Sequence, residues 1–286
     1  MKQTLENSYN FCIELATRHY ENFPVASLLI PKSKRKFIAA VYSFARIADD
    51  IADEGDSAPE QRIEKLIEYK NLLINKSFKE IYPHFPAVIH TIETNSLTIK
   101  NFTDLIDAFI QDNQKSIYQN WDEVLDYCSK SANPVGRILL EIFGVRNEQA
   151  FYYSDKICSA LQLTNFYQDL RIDLQRNRFY LPQDLLAKYY LTNDDLLLIL
   201  KNNQIDERLR KALIEAINFT EEMFIEGRNL LQYLSGLFKL EIDLTIRGGM
   251  RVLSKIKKVN FDPINYRPKL NKFDWLKIVL KVIFNG

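Results

Sequence analysis

The sequence predicts an all-α protein, and three observations carry that reading. Glycine is scarce, 8 residues in 286, where average usage is about 7%. Apolar residues recur at three- and four-residue spacing along long stretches, the pattern of helices that bury one face. Alternation with a period of two, which a half-buried strand needs, is hard to find anywhere.

In chain order the spacing predicts helices over 4–20, 34–54, 60–75, 86–95, 103–115, 121–143, 147–176, 192–202, 206–234 and 236–257. The second is carried by Phe37, Ile38, Val41, Phe44, Ala45 and Ala48, the fifth by Leu105, Ile106, Phe109 and Ile110, and the ninth by Ala212, Leu213, Ala216, Ile217 and Phe219. Asn101 or Thr103 can cap the start of the fifth. Pro24, Pro31, Pro83, Pro86 and Pro182 fall in connections, and Gly55 and Gly144 follow helical patterns as C-terminal stops. Near the end of the chain, Trp275, Leu276, Val279, Val282 and Ile283 stand among Lys272, Lys277 and Lys281. That segment is too short and too charged to span a bilayer. It reads either as an interfacial helix over 271–286 or as a final helix packed on the body.

Length allows one large domain or two ordinary ones. With no linker rich in Pro, Gly or Ser, no low-complexity tract and no repeat of 20–50 residues, a single domain over 1–286 is the better reading. Hydrophobic residues make up 47% and charged residues 26%, which excludes a disordered chain. Lys and Arg number 38 against 37 Asp and Glu, a net charge of +1, so nothing advertises a nucleic-acid partner. Cys12, Cys128 and Cys158 are odd in number, far apart and without metal-ligand spacing, which suits a reducing cytoplasm. The N-terminal residues lack the apolar core of a signal peptide. No apolar run approaches the length of a membrane-spanning helix.

The chemistry begins in "FARIADDIADEG", Phe44 to Gly55, where four carboxylates interrupt an apolar helical run. Residues four apart share a helix face with their Cβ atoms about 5–6 Å apart, so Asp49 and Asp53 point the same way. Asp169 and Asp173 repeat the spacing at the end of another long apolar-periodic segment, with Asn165 one turn upstream as a neutral oxygen donor. Hard divalent cations such as Mg²⁺ take oxygen ligands and bind through one or two carboxylates plus substrate phosphates. Two such faces opposed across a helical cavity would hold a Mg²⁺–diphosphate cluster. Arg46 beside the first pair, and Arg171, Arg176 and Arg178 around the second, could contact the diphosphate through planar donors. Either pair alone also fits a solvated helix face, and Arg46 to Asp50 has the spacing of a plain surface ion pair.

At these residues the chain resembles the squalene and phytoene synthases, the head-to-head isoprenyl diphosphate synthases. "YSFARIADDIADEGD" (Tyr42 to Asp56) and "LQLTNFYQDLRIDLQRNRFYLPQDLL" (Leu161 to Leu186) look like that family's two aspartate-rich motifs, and the similarity covers essentially the whole chain. Within the family the chain is most similar to the hydroxysqualene synthases of bacterial hopanoid pathways, through "HYENFPVAS" (His19 to Ser27), "YCSKSANPVGRILLEIFG" (Tyr127 to Gly144) and "NFYQD" (Asn165 to Asp169). The chain departs from squalene and phytoene synthases at three places. Tyr20-Glu-Asn-Phe23 stands where they carry Ser-Arg/Lys-Ser-Phe, and Ser131-Ala-Asn133 where they carry Val-Ala-Gly. Gln168-Asp169 and Ile172 replace an Arg-Asp pair with a following Glu. These changes weaken a carry-over of the first condensation step.

The resemblance implies an isoprenoid-synthase-type helical bundle with a central cavity. It also implies a Mg²⁺-dependent reaction in which presqualene diphosphate ionises, rearranges and captures water to give hydroxysqualene and diphosphate. Asp49, Asp53, Asn165, Asp169 and Asp173 would hold several metal ions, with Arg46 on the diphosphate. Tyr42 matches a tyrosine of the family motif and, with Arg46, Asn165 and Gln168, is a candidate catalytic residue. Asn22, Asn133, Gln162, Arg171 and Arg178 are candidates for substrate contact. Phe44 and Phe166 could shield a carbocation or simply be core. No NADPH is expected, and no GxGxxG motif is present to bind it. The expected partners are the isoprenoid diphosphate, neighbouring pathway enzymes and the inner face of the membrane, approached from the cytoplasm. The competing readings are a synthase that condenses two prenyl diphosphates and a non-catalytic helical partner subunit.

Overall fold

The apolar spacing translates into helices throughout the computed structural model, which describes residues 2–18, 29–53, 55, 57–77 and 79–285. In chain order they are α1 (Lys2–Arg18), α2 (Lys32–Asp53), α3 (Pro59–Ile74), α4 (Phe85–Thr94), α5 (Ile99–Asp112), α6 (Trp121–Ser131), α7 (Asn133–Ile142), α8 (Glu148–Gln168), α9 (Leu170–Gln175), α10 (Gln183–Lys188), α11 (Asn193–Asn202), α12 (Glu207–Gly227), α13 (Gly236–Lys258) and α14 (Lys272–Asn285). A 3₁₀ turn over Arg228–Gln232 follows α12. The only β pairing among the described residues is an isolated parallel bridge between Ile117 and Phe179. None of their helices is long and apolar enough to cross a membrane.

Several boundaries differ from the expectation, each for a physical reason. The helix expected over 121–143 is broken at Ala132, because Pro134 has no N–H to continue the ladder and its ring disfavours helical backbone before it. Helix α5 starts at Ile99 rather than near 103, and neither Asn101 nor Thr103 caps it. The carboxylate of Glu141 on α7 instead accepts the Thr98 N–H at 2.9 Å and the Thr98 hydroxyl at 2.5 Å. The long segment expected over 147–176 divides at Asp169 into α8 and α9. Gly55 and Gly144 do end helices, with φ of 79° and 78°, values that favour a residue without a Cβ. Pro86 lies in the first turn of α4, where its missing N–H costs nothing.

The chain divides into two compact units. One comprises Met1–Gln114, Pro134–Phe151 and Gly236–Glu241; the other comprises Lys115–Asn133, Tyr152–Ser235 and Ile242–Gly286. In the first unit α2 packs against α1, α3, α4 and α5. Phe44 is fully buried, stacked on Tyr69 and meeting Phe85 and Phe102 edge to face, which makes it a core residue. The Tyr69 hydroxyl donates to the Phe44 carbonyl at 3.1 Å and meets His84 Nε2 at 2.5 Å. With that hydroxyl proton committed, His84 is assigned as the Nε2–H tautomer; its buried Nδ1 finds no partner among the described residues. Burial pushes the His84 pKa down to about 3.

In the second unit Tyr118, Tyr127, Phe166 and Tyr180 form an aromatic cluster, Phe166 stacked on Tyr180 at 3.8 Å. Cys128, also buried, has its thiol pushed up to about 12 by desolvation, the behaviour of a packing residue rather than a nucleophile. Glycines let helices approach closely. A Cβ at Gly227 would stand 2.7 Å from Ile157 Cγ1 and 3.1 Å from the Tyr153 carbonyl oxygen on α8; one at Gly249 would stand 2.5 Å from Phe224 Cζ.

Candidate functional site

The first acidic face belongs to α2, where Tyr42, Arg46, Asp49 and Asp53 follow at helical spacing and share a side. Arg46 reaches back over its own helix, Nη1 to Asp49 Oδ2 at 3.3 Å and Nη2 to Asp50 Oδ1 at 2.5 Å. One guanidinium thus bridges two neighbouring carboxylates. Tyr42 is buried, and desolvation raises its pKa, opposed by Arg46 and reinforced by Asp50 and Asp49. It is therefore a protonated hydrogen-bond donor rather than a base. The end of the helix is held from α3: Arg62 Nη1 donates to the Ala52 carbonyl at 3.0 Å and Nη2 to the Gly55 carbonyl at 2.8 Å. A cation at a helix C-terminus satisfies the last carbonyls and the dipole together, and here it fixes the turn that carries Asp53.

The second face straddles the break between α8 and α9. The Asp169 N–H donates to the Asn165 carbonyl at 2.8 Å and the Asp173 N–H to the Asp169 carbonyl at 3.0 Å. These two bonds preserve the four-residue helical step through the break, so Asn165, Asp169 and Asp173 remain on one side. Arg267 closes on Asp169 with both ends of its fork, Nη2 to Oδ2 at 2.9 Å and Nε to Oδ1. Its segment is tied down by two other predicted residues. Gln168 Nε2 donates to the Pro268 carbonyl at 2.5 Å, and Arg171 Nη1 donates to the Ile264 carbonyl at 3.0 Å and to Asn203 Oδ1 at 2.8 Å.

The remaining predicted residues are more scattered. Gln162 is half-buried on α8 one turn before Asn165, which is exposed. Arg178 is half-buried, its backbone N–H donating to the Asp173 carbonyl at 2.8 Å, and Arg176 is exposed just after α9. Asn133 is buried and its Oδ1 accepts the Ser159 hydroxyl at 2.9 Å. Asn22 lies outside the described residues, as does His19. Arg62 and Arg267 are the additions. Nothing in their local sequence marks them, because neither has helical spacing to the aspartates it serves.

Both faces suit a hard divalent cation. Their donors are oxygen only, and among the described residues no group of three or more His, Cys, Asp and Glu stands close enough together to hold a metal ion by itself. Each face carries two aspartates four residues apart, and Mg²⁺ commonly binds through one or two carboxylates together with waters and phosphate oxygens. Arg46 and Arg267 offset part of the negative charge on these faces.

A sequence profile described as squalene/phytoene synthase matches residues 16–274. The chain is 31% identical over 264 residues to a protein named hydroxysqualene synthase from Sinorhizobium fredii, covering 91% of this chain and 87% of that one. It is 27% identical over 280 residues to the phytoene synthase of Arthrospira platensis, covering 92% and 88%. The crystal structure of the squalene synthase HpnC from Alicyclobacillus acidocaldarius superposes with a TM-score of 0.83 at 32% identity, covering 91% of this chain and 96% of that one.

Proposed function

The chain belongs to the squalene/phytoene synthase family, and from that premise we propose that it converts presqualene diphosphate and water into hydroxysqualene and diphosphate. Family membership makes it an isoprenoid synthase of the head-to-head prenyl diphosphate type. The observation that carries the chemistry is the pair of acidic faces, each with an arginine already seated on it: Arg46 on Asp49 and Arg267 on Asp169. Similarity over 91% of this chain to a protein named hydroxysqualene synthase supports the narrower reading. So does neutral Gln168 beside Asp169, where the condensing members of the family carry arginine.

Asp49 and Asp53 on one face, and Asn165, Asp169 and Asp173 on the other, would hold Mg²⁺, the chain being read as a single catalytic domain. Bound there, Mg²⁺ supplies positive charge to the diphosphate oxygens. The residues of the chain do the rest. Arg46 turns from its aspartates to the diphosphate and stabilises the charge that grows on the leaving oxygen as the C–O bond breaks, the bonding pair departing with diphosphate. The protonated Tyr42 phenol donates a hydrogen bond on the same face. Gln162 and Asn133 offer amides to the substrate, and Gln168 orients the attacking water. The cyclopropylcarbinyl cation left behind rearranges, water adds and one proton is released, so no reductant enters. Substrate and product are long hydrocarbons, and the protein reaches them by peripheral contact with a membrane.

The test is mass analysis of products from purified protein and Mg²⁺. Presqualene diphosphate should give hydroxysqualene whether or not NADPH is present. Turnover of farnesyl diphosphate alone would establish the condensing synthase instead, and no turnover of either would leave the partner-subunit reading.

A further inference from the structure

Helix α14 shows most of its described apolar side chains to solvent and keeps its one carboxylate inside. Asp274 is buried and accepts Arg251 Nε at 2.8 Å and Lys255 Nζ at 2.6 Å from α13. Asn271 and Asp274 exchange backbone-to-side-chain bonds of 3.0 and 2.9 Å, a reciprocal cap at the helix start. Lys255, the Asn271 N–H and Arg251 hold the Asp274 carboxyl well below the usual carboxylate range. Ile278 is buried, and the Trp275 ring edge lies beside Gly248, where a Cβ would stand 3.5 Å from Cη2. The inner side of the helix is therefore anchored.

The outer side is not packed. Phe273 is 75% exposed, Leu276 55% and Leu280 43%, with Trp275 and Val279 exposed beside them. At 100° per residue Phe273, Leu276 and Leu280 share one face, and the exposed Lys272 and Lys277 flank it. Single exposed apolar residues are ordinary on a protein surface. Five among the eight residues 273–280 are exposed and apolar, with Lys272 and Lys277 beside them and the one carboxylate, Asp274, buried, so they form a patch with a direction.

We propose that this face docks the protein on an anionic lipid bilayer, the apolar side chains entering the headgroup boundary while Lys272 and Lys277 meet the lipid phosphates. The proposal deepens the membrane contact named above and rests on that reading only for the reason a membrane is needed. Charge selects the occupant. A second copy meeting this face through a two-fold axis would bring a second set of the same lysines to the contact and no exposed carboxylate of α14 to offset them, whereas an anionic surface attracts them. The geometry matches a helix that lies in the interface plane rather than one that crosses it.

The experiment uses full-length, substrate-free protein and sedimentation with phosphatidylglycerol/phosphatidylcholine vesicles against pure phosphatidylcholine. Wild type and an Ile225→Ser control, altered at an exposed apolar residue of α12, should bind the anionic vesicles. A Phe273→Ser/Leu280→Ser double variant should bind about tenfold or more weakly, as expected when two buried apolar anchors are lost. Lys272→Gln/Lys277→Gln should bind anionic vesicles no better than neutral ones. Melting temperatures should stay within about a degree or two, since the altered side chains are exposed. The proposal fails if wild type does not bind, if the variants bind like wild type, or if the apolar double variant converts a dimer to a monomer in sedimentation velocity. Turnover of detergent-dispersed presqualene diphosphate, run in parallel, separates the two readings: lost vesicle binding with turnover intact is expected here, whereas lost turnover alone counts against the reaction.

Discussion

Arg267 grips Asp169 across 98 residues of chain, its fork matching both carboxylate oxygens. The pair offsets part of the negative charge of the second acidic face, as Arg46 does for the first. A cation arriving at Asp169 must compete with that guanidinium. Arg267→Ala should therefore bind Mn²⁺ more tightly in the absence of substrate, by up to about fivefold for an exposed pair, as read by electron paramagnetic resonance. Weaker Mn²⁺ binding in the variant would mean that Arg267 orients the carboxylate for the metal instead of competing with it.

Asp53 is exposed at the last turn of α2. Asp53→Ala should lower turnover by about 10²–10³-fold or more, the cost of losing an electrostatic stabiliser of the departing group. Unfolding free energy without Mg²⁺ should shift by less than about 0.5 kcal/mol, as for other exposed substitutions. A large fall in melting temperature would assign the acidic face to structure.

Among the described residues Arg62 meets the end of α2 through carbonyls. Arg62→Ala leaves the Ala52 and Gly55 oxygens to water and frees the turn that carries Asp53, so the Mg²⁺ concentration for half-maximal rate should rise several-fold. Stability should fall by about 1 kcal/mol, the size of a lost helix-end interaction. An unchanged Mg²⁺ requirement would show that the turn keeps its shape without this support.

His84 predicts the acid limb of stability. Its folded pKa is depressed to about 3, while the unfolded value is about 6.5. Below pH 6.5 the unfolded chain binds the extra proton, so stability is lost as pH falls, by up to about 1.4 kcal/mol per unit, until the folded group titrates near 3. His84→Gln should flatten the dependence of melting temperature on pH between about 6.5 and 4. An equal slope in the variant would place the acid sensitivity elsewhere.

Gly227→Ala should destabilise by about 1–3 kcal/mol even though alanine is the better helix former. The new Cβ meets backbone of α8 at 3.1 Å as well as Ile157 Cγ1 at 2.7 Å, and backbone atoms cannot rotate away. Denaturant unfolding reads the effect directly; a gain in stability would show that α12 and α8 separate at little cost.

Much was visible within four residues of each acidic group. The spacing of Asp49 and Asp53 places both on one side of α2, the step from Asn165 to Asp169 to Asp173 does the same, and Arg46 lies within reach of its own aspartates. Gly55 and Gly144 end helices as expected, because a left-handed residue after a helix is a local requirement. The expected Asn101 or Thr103 cap and the unbroken 121–143 helix fail for complementary reasons. In the first, a carboxylate 43 residues away outbids any local side chain at Thr98; in the second, the local signal of Pro134 outweighs the apolar spacing.

The sequence by itself determined the helices, the two acidic faces and the oxygen-only donor set, since each depends on groups one turn apart along a helix. Tertiary structure decided which cations sit on those faces and which side of α14 meets water. Arg267 on Asp169, Arg62 on the end of α2, and Asp274 turned inward to Arg251 and Lys255 all join groups distant in the chain. Helical periodicity carries no information about such pairs. They form only where packing has already brought two segments within the reach of a side chain.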